Sequence, residues 1–396
     1  MTSLIDLENR YGAHCYSSFP IVFTKGKGVH LWDTNGKKYL DMMSAYSAVS
    51  FGHSNPKLIK ALHEQAKELA LVSRAFYTDK LPIFLEKTCK LFKFDKALPM
   101  NSGAEAVETA VKAARKWAYE VKKVPKDKAE IIVCTGNFHG RTTTIVSFSS
   151  EPLYSNHFGP LTPGFKIIPY GDAAALQKAI TKNTAAFIVE PIQGEGGIKI
   201  PPKGYLKKCA EICKKNNVLF FVDEIQTGLG RTGKLLACHH DNVQPDGVML
   251  GKALGGGLLP VSMFLASKEV MKMFTPGTHG STFGGNALSS AVGLCALELL
   301  ADKKLLDNVI KLGEYFLAEL KKIKSPYIKE VRGKGLLLGI EVDPKKVEGK
   351  KICAELLKRG LVTKETHETV LRLGPPLIIT KAQIDSALKI IRDVFK

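Results

Sequence analysis

A carboxylate and an amine each follow an apolar run that the sequence predicts as a buried strand. Residues 218–222 are continuously apolar and end in Asp223, and residues 247–250 end in Gly251 and Lys252. Apolar runs of this length are typical of strands buried on both faces of a parallel sheet. Ligands of such sheets bind just beyond the carboxyl ends of the strands, so we expect Asp223 and Lys252 to share one site.

These two groups have the chemistry to act on opposite ends of one heteroaromatic ring. The neighbours of Lys252 are apolar residues and glycines, which favours burial, and a buried lysine has a lowered pKa and can form a Schiff base. A buried Asp223 carboxylate requires a cationic partner, and a protonated pyridine nitrogen would meet that need. A third group, a site for phosphate, would complete the requirements of pyridoxal phosphate.

The sequence Asn101-Ser102-Gly103-Ala104-Glu105 predicts the start of a helix that runs to about residue 122. Asn101 or Ser102 is a good N-cap, and the first N–H groups of a helix can bind a phosphate. Taken alone, this pattern is more typical of a plain capped helix. Its combination with Asp223 and Lys252 is what favours the phosphate interpretation.

Composition limits the classes of function that need consideration. The 396 residues, of which 45% are hydrophobic and 24% charged, indicate a globular protein of about two domains. No apolar stretch approaches the ~18 residues of a membrane span, and no signal or transit pattern is present, so we expect a cytoplasmic protein without a membrane partner. The net charge of +19 comes from scattered lysines without interleaved aromatics, which favours anionic substrates and argues against a nucleic-acid partner.

Three other patterns resemble site motifs but lack the expected context. The eight cysteines contain no CxxC pair, so we expect reduced thiols. Residues 238–241 (Cys-His-His-Asp) could bind a metal, but adjacent side chains point in different directions and no second pair has zinc spacing. Residues 228–233 match G-x-G-x-x-G, but Asp223 and Glu224 precede the glycines and would repel a pyrophosphate. We therefore expect neither a metal ion nor a dinucleotide.

The order of predicted elements indicates an α/β fold. From Glu130 onward strands alternate with helices at 173–181 and 204–216, which predicts a mostly parallel, doubly wound sheet. The predicted strands are residues 131–133, 145–148, 167–168, 187–189, 218–222, 248–250 and 262–266.

The flanking segments predict a second, smaller unit. A hairpin is expected within residues 25–40, helices at 56–74 and 79–92, and long helices after Asn286 and at 304–323. A strand over 331–342, a helix at 349–359, strands near 361 and 370–373, and a helix at 381–395 follow. We predict an N-terminal segment 1–50 that packs with the C-terminal unit, a large domain 51–300 and a small α+β domain 301–396.

The chain resembles the class III pyridoxal-phosphate aminotransferases over nearly its whole length. The Asp223-Glu-Ile-Gln-Thr-Gly228 sequence and the later Gly251-Lys252 pair are highly specific for this class. The resemblance implies a fold-type I transferase that forms a homodimer or a larger homo-oligomer. The matching stretches are residues 11–16, 44–49, 99–106, 136–141, 189–195, 223–228, 251–252, 279–286 and 332–335.

The resemblance also implies roles around the cofactor, pyridoxal 5′-phosphate. Lys252 would form the Schiff base and move the proton, and Asp223 would hold the pyridine nitrogen. Phe138 matches the ring that stacks on the cofactor, followed by His139 where a tryptophan is often found, and Gln226 matches the partner of the phenolic oxygen. The phosphate contacts would be Ser102, Gly103 and Ala104 from one subunit and Ser281 and Thr282 from the other.

Within the family, the chain is most similar to the members that act on ornithine. Tyr16, Tyr46 and Arg141 match the residues that hold the amino-acid end of ornithine and leave its distal amine at the cofactor. Arg372 matches the arginine that receives the α-carboxylate of the 2-oxo acid, and Glu195 matches the carboxylate that masks it while ornithine is bound. A static Glu195–Arg372 ion pair is the structural alternative.

This similarity implies transfer of the δ-amino group of L-ornithine to 2-oxoglutarate, which gives glutamate 5-semialdehyde and glutamate. The alternative within the family is an aminotransferase for acetylornithine or another ω-amino acid, such as 4-aminobutyrate or lysine. Tyr16 discriminates between them, because a free α-amino group needs an acceptor that an acetylated one does not. A basic, non-catalytic nucleic-acid binder is the alternative from another class.

Overall fold

The structure is a computed structural model that describes residues 3–396, so Met1 and Thr2 of the predicted segment 1–50 lie outside the described residues. Strands are numbered along the chain. They are β1 (Phe23–Lys27), β2 (His30–Asp33), β3 (Lys38–Asp41), β4 (Lys96–Met100), β5 (Glu130–Cys134), β6 (Phe165–Ile168), β7 (Thr184–Val189), β8 (Leu219–Asp223), β9 (Gly247–Leu250), β10 (Ser262–Ala266), β11 (Ile328–Lys334), β12 (Leu337–Val342), β13 (Leu361–Val362), β14 (Lys364–Thr366) and β15 (Val370–Leu373).

A seven-stranded sheet with the order β4-β10-β9-β8-β7-β5-β6 forms the centre of the molecule. Strand β10 runs antiparallel to both of its neighbours, β4 and β9. The other neighbouring strands pair in parallel, with Val222 opposite Val248 and Val189 opposite Val222. The predicted mostly parallel sheet is therefore confirmed.

The central strands are buried on both faces, as their continuous apolar sequences predict. In β8, Leu219 and Phe221 pack into a core with the helix Gly103–Glu120, whereas Phe220 and Val222 pack into a second core on the opposite face. Successive side chains of a strand point to opposite faces, so an apolar run needs an apolar layer on each side. This double burial confirms the doubly wound arrangement.

The helices follow the predicted order, with ends that differ by a few residues. The helix Ala287–Leu300 begins after Asn286, whose side chain accepts a hydrogen bond from Ser289 N. None of the described helices has the length and apolar content needed to cross a membrane. The helices are Leu4–Tyr11, Pro56–Glu68, Lys80–Phe92, Gly103–Glu120, Thr143–Val146, Pro152–Ser155, Ala173–Ala179, Tyr205–Lys215, Lys268–Met271, Ala287–Leu300, Lys303–Lys321, Gly349–Lys358 and Lys381–Val394, with 3-10 turns at Ala237–Asp241 and Lys252–Gly255.

Two smaller sheets contain the remaining strands, in the orders β1-β2-β3-β13 and β11-β12-β15-β14. Strand β3 pairs in parallel with β13, with Leu40 opposite Leu361. Leu40 and Leu361 are buried in the same core as Leu312 and Phe316. The N-terminal strands are thus continuous with the C-terminal part of the chain, whereas the proposed domain limits near residues 50 and 300 stay a prediction.

The predicted secondary structure is wrong at three places. Ile145 and Val146 belong to the short helix Thr143–Val146, and residues 147–148 to the turn after it, because the Thr142 side chain caps the helix by accepting from Ile145 N. Residues 331–342 form the hairpin β11–β12 instead of one strand, and Gly335 provides the positive φ of +55° that its turn requires. Strand β4 was not predicted, because Pro99 interrupts its short apolar run.

We expect Gly313→Ala to lower the free energy of unfolding by about 1–3 kcal/mol, the usual cost of overpacking a buried contact. Gly313 lies on the helix Lys303–Lys321, and a Cβ there would overlap the backbone of Gly335. Urea denaturation measures the effect. Lys311→Ala, on the exposed face of the same helix, is the matched control, and equal stabilities of the two variants would contradict the contact.

Candidate active site

A cavity of about 190 Å³ lies beyond the carboxyl ends of β7, β8 and β9. Asp223 at the end of β8 and Lys252 just after β9 both line it, as the strand-end pattern predicts. Eight of the predicted site residues therefore meet in one place. They are Gly103, Ala104, Phe138, His139, Glu195, Asp223, Gln226 and Lys252.

Lys252 begins the 3-10 turn Lys252–Gly255 with a positive φ of 47°, a conformation that is unusual for a residue with a side chain. Burial, with a smaller contribution from Arg372, lowers the pKa of its amine to about 8 against the opposite effects of Glu195, Asp223 and Glu190. A large share of this amine is therefore neutral near pH 8, which is the form that attacks a carbonyl carbon.

Asp223 is fixed by two hydrogen bonds to its carboxylate. His139 Nδ1 donates to Oδ2 over 2.6 Å, and Ile225 N donates to Oδ1 over 3.0 Å. Burial opposes protonation of His139, but its hydrogen bond to Asp223 and the charges of Asp223 and Glu190 outweigh burial and raise its pKa. The His139 ring thus holds the Asp223 carboxylate in position at the end of the strand.

Glu190 is a cavity residue that the sequence interpretation missed. It follows β7, lines the cavity and accepts a hydrogen bond from Phe138 N over 3.1 Å. Burial raises its pKa to about 8, with His139 opposing the shift and Asp223 adding to it. The signal was present, because the apolar residues 187–189 end in a carboxylate just as residues 218–222 do.

The helix that starts at Gly103 has a well-defined cap. Ser102 Oγ accepts from Glu105 N over 3.2 Å, and Ser102 N donates to the Glu105 carboxylate over 2.6 Å. These bonds satisfy Ser102. Gly103 and Ala104 line the cavity, and their N–H groups belong to the first turn of the helix, which has no acceptors for them within the helix. The cavity therefore has backbone donors at a helix N-terminus, a favourable site for an anion.

Ser281 and Thr282 do not line the cavity of their own chain. Ser281 Oγ accepts from Asn101 Nδ2 over 2.9 Å and from Gly284 N over 3.0 Å, next to the start of the capped helix. Thr282 and Phe283 are exposed to solvent. The predicted phosphate role of Ser281 and Thr282 in a second copy stays a prediction.

Glu195 and Arg372 form a close ion pair beside the cavity. Arg372 Nη1 donates to Glu195 Oε1 over 2.5 Å and Nη2 donates to Oε2 over 2.8 Å. Arg372 is only 3% exposed, and Gln226 Nε2 also donates to Glu195. Burial alone would raise the pKa of Glu195, but Arg372, Lys252 and Gln226 lower it to about 2. Glu195 therefore stays ionised across the whole neutral range.

The three other predicted substrate residues lie outside the cavity lining. Tyr46 contacts the ion pair, since the Arg372 guanidinium carbon lies 4.9 Å from its ring centroid. Arg141 lies across the ring of Tyr154 at 3.6 Å and near Phe138 at 5.5 Å. Tyr16 is 79% exposed. The roles of these three residues in binding stay predictions.

Comparison with known proteins identifies the family of this chain. The class-III aminotransferase family model matches residues 11–395. The chain belongs to the class-III aminotransferases. It is 55% identical over 394 residues to the ornithine aminotransferase of Geobacillus sp. (strain WCH70), covering 100% of this chain and 98% of that protein.

Two solved structures have the same fold. The ornithine aminotransferase of Toxoplasma gondii, with partial occupancy of PLP at its active site, matches with a TM-score of 0.97 at 45% identity, covering 100% of this chain and 95% of that one. The acetylornithine aminotransferase of Elizabethkingia anophelis matches with a TM-score of 0.89 at 49% identity, covering 99% and 97% of the two chains.

Class-III aminotransferases use pyridoxal 5′-phosphate, and the side chains of the cavity fit this group. Lys252 offers an amine for the aldehyde, Asp223 a carboxylate for the pyridine nitrogen, and the helix start at Gly103 N–H donors for the phosphate. Within residues 3–396, the buried Oε1 of Gln226 and Nε2 of His139 have no hydrogen-bond partner. Unsatisfied buried polar atoms are rare, and these two belong to residues that line the cavity, where a bound cofactor could supply the partner.

We expect capture of pyridoxal phosphate by the apoprotein to accelerate with rising pH, with a midpoint near pH 8 instead of 10.5. The reason is that the Lys252 pKa is lowered from 10.5 to about 8, so the reactive neutral amine accumulates above that pH. Stopped-flow absorbance follows the yellow complex. Lys252→Ala should abolish the signal while the exposed-lysine control Lys207→Ala keeps the same profile, and a Lys252→Ala protein that still turns yellow would refute the assignment.

Proposed function

We propose that the protein transfers the δ-amino group of L-ornithine to 2-oxoglutarate, giving L-glutamate 5-semialdehyde and L-glutamate in a ping-pong cycle with pyridoxal phosphate. The 55% identical protein from Geobacillus, which is named an ornithine aminotransferase, supports the choice of substrate. The observation within the chain that carries the proposal is the buried Glu195–Arg372 pair beside Lys252.

The Glu195–Arg372 pair suits an enzyme that must accept two different substrates in one cavity. A buried arginine without an anion is strongly unfavourable, so Arg372 needs either Glu195 or a substrate carboxylate. In the ornithine half-reaction, Glu195 would keep Arg372 occupied, and in the second half-reaction the α-carboxylate of 2-oxoglutarate would replace it. Arg372 would therefore have a carboxylate partner in both half-reactions.

When bound, pyridoxal phosphate supplies an electron sink for the carbon that loses a proton. Asp223, oriented by His139, would hold a proton on the ring nitrogen and so maintain that sink. Lys252 Nζ, with its lowered pKa, would remove the proton from Cδ of ornithine as a general base. Phe138 would cover one face of the ring, and Gln226, whose amide also contacts Glu195, would bond the phenolic oxygen.

The orientation of ornithine decides which of its two amines reacts. We assign the grip on the α-amino and α-carboxylate groups to Tyr16, Tyr46 and Arg141, so that the δ-amine faces the cofactor. The ring of Tyr46 already contacts Arg372, and burial raises the pKa of its hydroxyl, so it stays a neutral donor. Arg141 and the exposed Tyr16 would have to turn toward the bound substrate.

We further propose a homodimer or larger assembly in which each copy contributes Ser281 and Thr282 to the phosphate site of the other. The exposure of Thr282 and of Phe283, 56% exposed, supports a covering partner at this loop. Ser102, Gly103 and Ala104 would bind the phosphate from the chain that holds the cofactor. Analytical ultracentrifugation tests the assembly.

We also propose a cytoplasmic enzyme that contributes to proline biosynthesis. The product, glutamate 5-semialdehyde, carries an amine and an aldehyde at a spacing that closes a five-membered ring without a catalyst. Reduction of that ring would give proline. The link to proline biosynthesis follows from the proposed product alone.

The direct test of the substrate compares amino donors with 2-oxoglutarate as acceptor. We expect kcat/KM for L-ornithine to exceed that for N-acetylornithine and 4-aminobutyrate by at least about tenfold, the effect of one well-placed polar contact. The o-aminobenzaldehyde reaction detects the cyclised product. A preference for N-acetylornithine, the activity of the structural relative from Elizabethkingia anophelis, would replace the proposal by its nearest alternative.

Tyr16 provides a second test, because its hydroxyl is the proposed acceptor for the free α-amino group. Tyr16→Phe should lower kcat/KM for ornithine and raise the relative rate with 4-aminobutyrate, which has no α-amino group. Tyr11→Phe, another exposed tyrosine five residues earlier, is the control. Unchanged relative rates in Tyr16→Phe would show that Tyr16 does not set the choice of donor.

Glu195→Gln should separate the two half-reactions. Removal of the masking charge leaves Arg372 available, so KM for 2-oxoglutarate should fall by at least about tenfold, since unpairing a buried charge costs about 2 kcal/mol or more. The selectivity for the δ-amine over the α-amine of ornithine should fall as well. The exposed control Glu211→Gln should change neither value, and an unaltered KM in Glu195→Gln would indicate a static pair.

A further inference from the structure

The backbone that carries Tyr46 adopts a conformation that residues with side chains avoid. Ser44, Ala45, Tyr46 and Ser47 have positive φ values of 43°, 47°, 60° and 76°. Left-handed residues normally occur singly because Cβ crowds the following carbonyl oxygen, and a run of four without glycine is strained. We call Ser44–Ser47 the left-handed turn. Its persistence requires the surrounding structure to hold it.

One side of the left-handed turn is held by a buried carboxylate. Asp41 Oδ1 accepts hydrogen bonds from Met43 N over 2.8 Å and from Ser44 N over 2.9 Å. The second oxygen, Oδ2, accepts from His53 Nε2 over 2.7 Å. These contacts fix the entrance of the turn.

The other side is held by Arg231, which is 0% exposed and makes no ion pair within residues 3–396. Its Nη2 donates to Ser44 Oγ over 3.2 Å and to Ser50 Oγ over 3.0 Å. Its Nη1 donates to the carbonyls of Leu336 and Pro375 over 3.0 and 2.5 Å. Arg231 Nε has no hydrogen-bond partner among the described residues, and the other two nitrogens bond only neutral hydroxyls and carbonyls. Burial of a guanidinium in this way is costly, and what it provides is a rigid set of contacts to several segments.

These contacts connect the left-handed turn to the strand that carries Arg372. Ser44 Oγ donates to the Gly374 carbonyl over 2.6 Å, and Gly374 N donates to the Met42 carbonyl over 2.6 Å. Arg231 bonds Ser44, two residues before Tyr46, and Pro375, three residues after Arg372. One planar side chain therefore fixes both segments.

We propose that Arg231 is a positioning residue that sets the contact between the Tyr46 ring and the Arg372 guanidinium, and so the binding of the substrate carboxylate. The inference rests on the proposed function, in which these two groups hold the substrates. Arg231 would act through the left-handed turn and would touch neither substrate nor cofactor. A lysine could not replace it, because an ammonium presents a point charge rather than a rigid fork of donors.

Arg231→Lys should raise KM for 2-oxoglutarate by about tenfold, within the range of coupling between residues of one network, while kcat changes little. Lys252 and Asp223 share no hydrogen bond with Arg231 or the left-handed turn, so the yellow cofactor complex should still form. If Arg231→Lys does not fold, Ser50→Ala removes one acceptor of Arg231 and should give a smaller shift in the same direction. A parallel loss of kcat and thermal stability without a KM effect would mean a merely structural role and would overturn the proposal.

A rescue experiment distinguishes positioning from general stabilisation. Ala45 is exposed, so Ala45→Gly removes no packing and only relieves the positive φ. In the Arg231→Lys background it should bring the raised KM for 2-oxoglutarate back toward the parent value. In the parent enzyme it should change KM little. Lys93→Gly relieves a positive φ of 59° at an exposed helix end outside the left-handed turn, and it should leave the raised KM unchanged. Equal rescue by the two glycines would refute the role of the turn.

Hydrogen exchange tests the same inference without any substrate. In Arg231→Lys, amides of residues 42–50 should exchange faster while those of β8 and β9 keep their protection. Unchanged exchange at residues 42–50 would overturn the proposal even if the kinetics shift. A parent enzyme that does not use ornithine would refute the proposed function instead, and the exchange result would still decide on Arg231.

Discussion

Charged groups brought together in one small cavity are the constraint on which this active site depends. Asp223 and Lys252, which follow neighbouring strands, both line one cavity, where Asp223 is buried and Lys252 is partly buried. A lone buried charge is strongly unfavourable, so each one must have a partner or change its protonation. Asp223 accepts from His139, Glu195 pairs with Arg372, and the amine of Lys252 has a lowered pKa. Pyridoxal phosphate brings a cation and an anion that fit the groups left over.

Backbone strain is concentrated around the same site. Lys252 has a positive φ at the point where its side chain enters the cavity, and Ser44–Ser47 is left-handed throughout. Such residues cost about 1–2 kcal/mol each, which only a well-packed surrounding structure can offset. The cores on both faces of the central sheet form this surrounding structure, and the buried Asp41 and Arg231 hold the backbone at Ser44–Ser47. Rigid placement of Tyr46 and Lys252 is thus obtained at the expense of overall stability.

Much of this arrangement could be predicted from the sequence, because a buried parallel strand leaves a clear pattern. The apolar runs before Asp223 and Gly251 predicted strands β8 and β9 and the meeting of Asp223 with Lys252. The same rule applied to residues 187–189 would have identified Glu190. By contrast, the apolar residues in 145–148 suggested a strand, whereas the chain forms the helix Thr143–Val146, which the Thr142 side chain caps. Local patterns fail where a single tertiary or capping contact outweighs intrinsic preference.

Arg231 shows the limit of prediction from sequence most clearly. Its four acceptors lie between 105 and 187 residues away along the chain, so no local spacing could reveal them. Its neighbourhood in the glycine-rich stretch 228–233 invites a nucleotide interpretation instead, although the side chain points into the protein. Only the folded arrangement reveals that this guanidinium joins the segments of Tyr46 and Arg372.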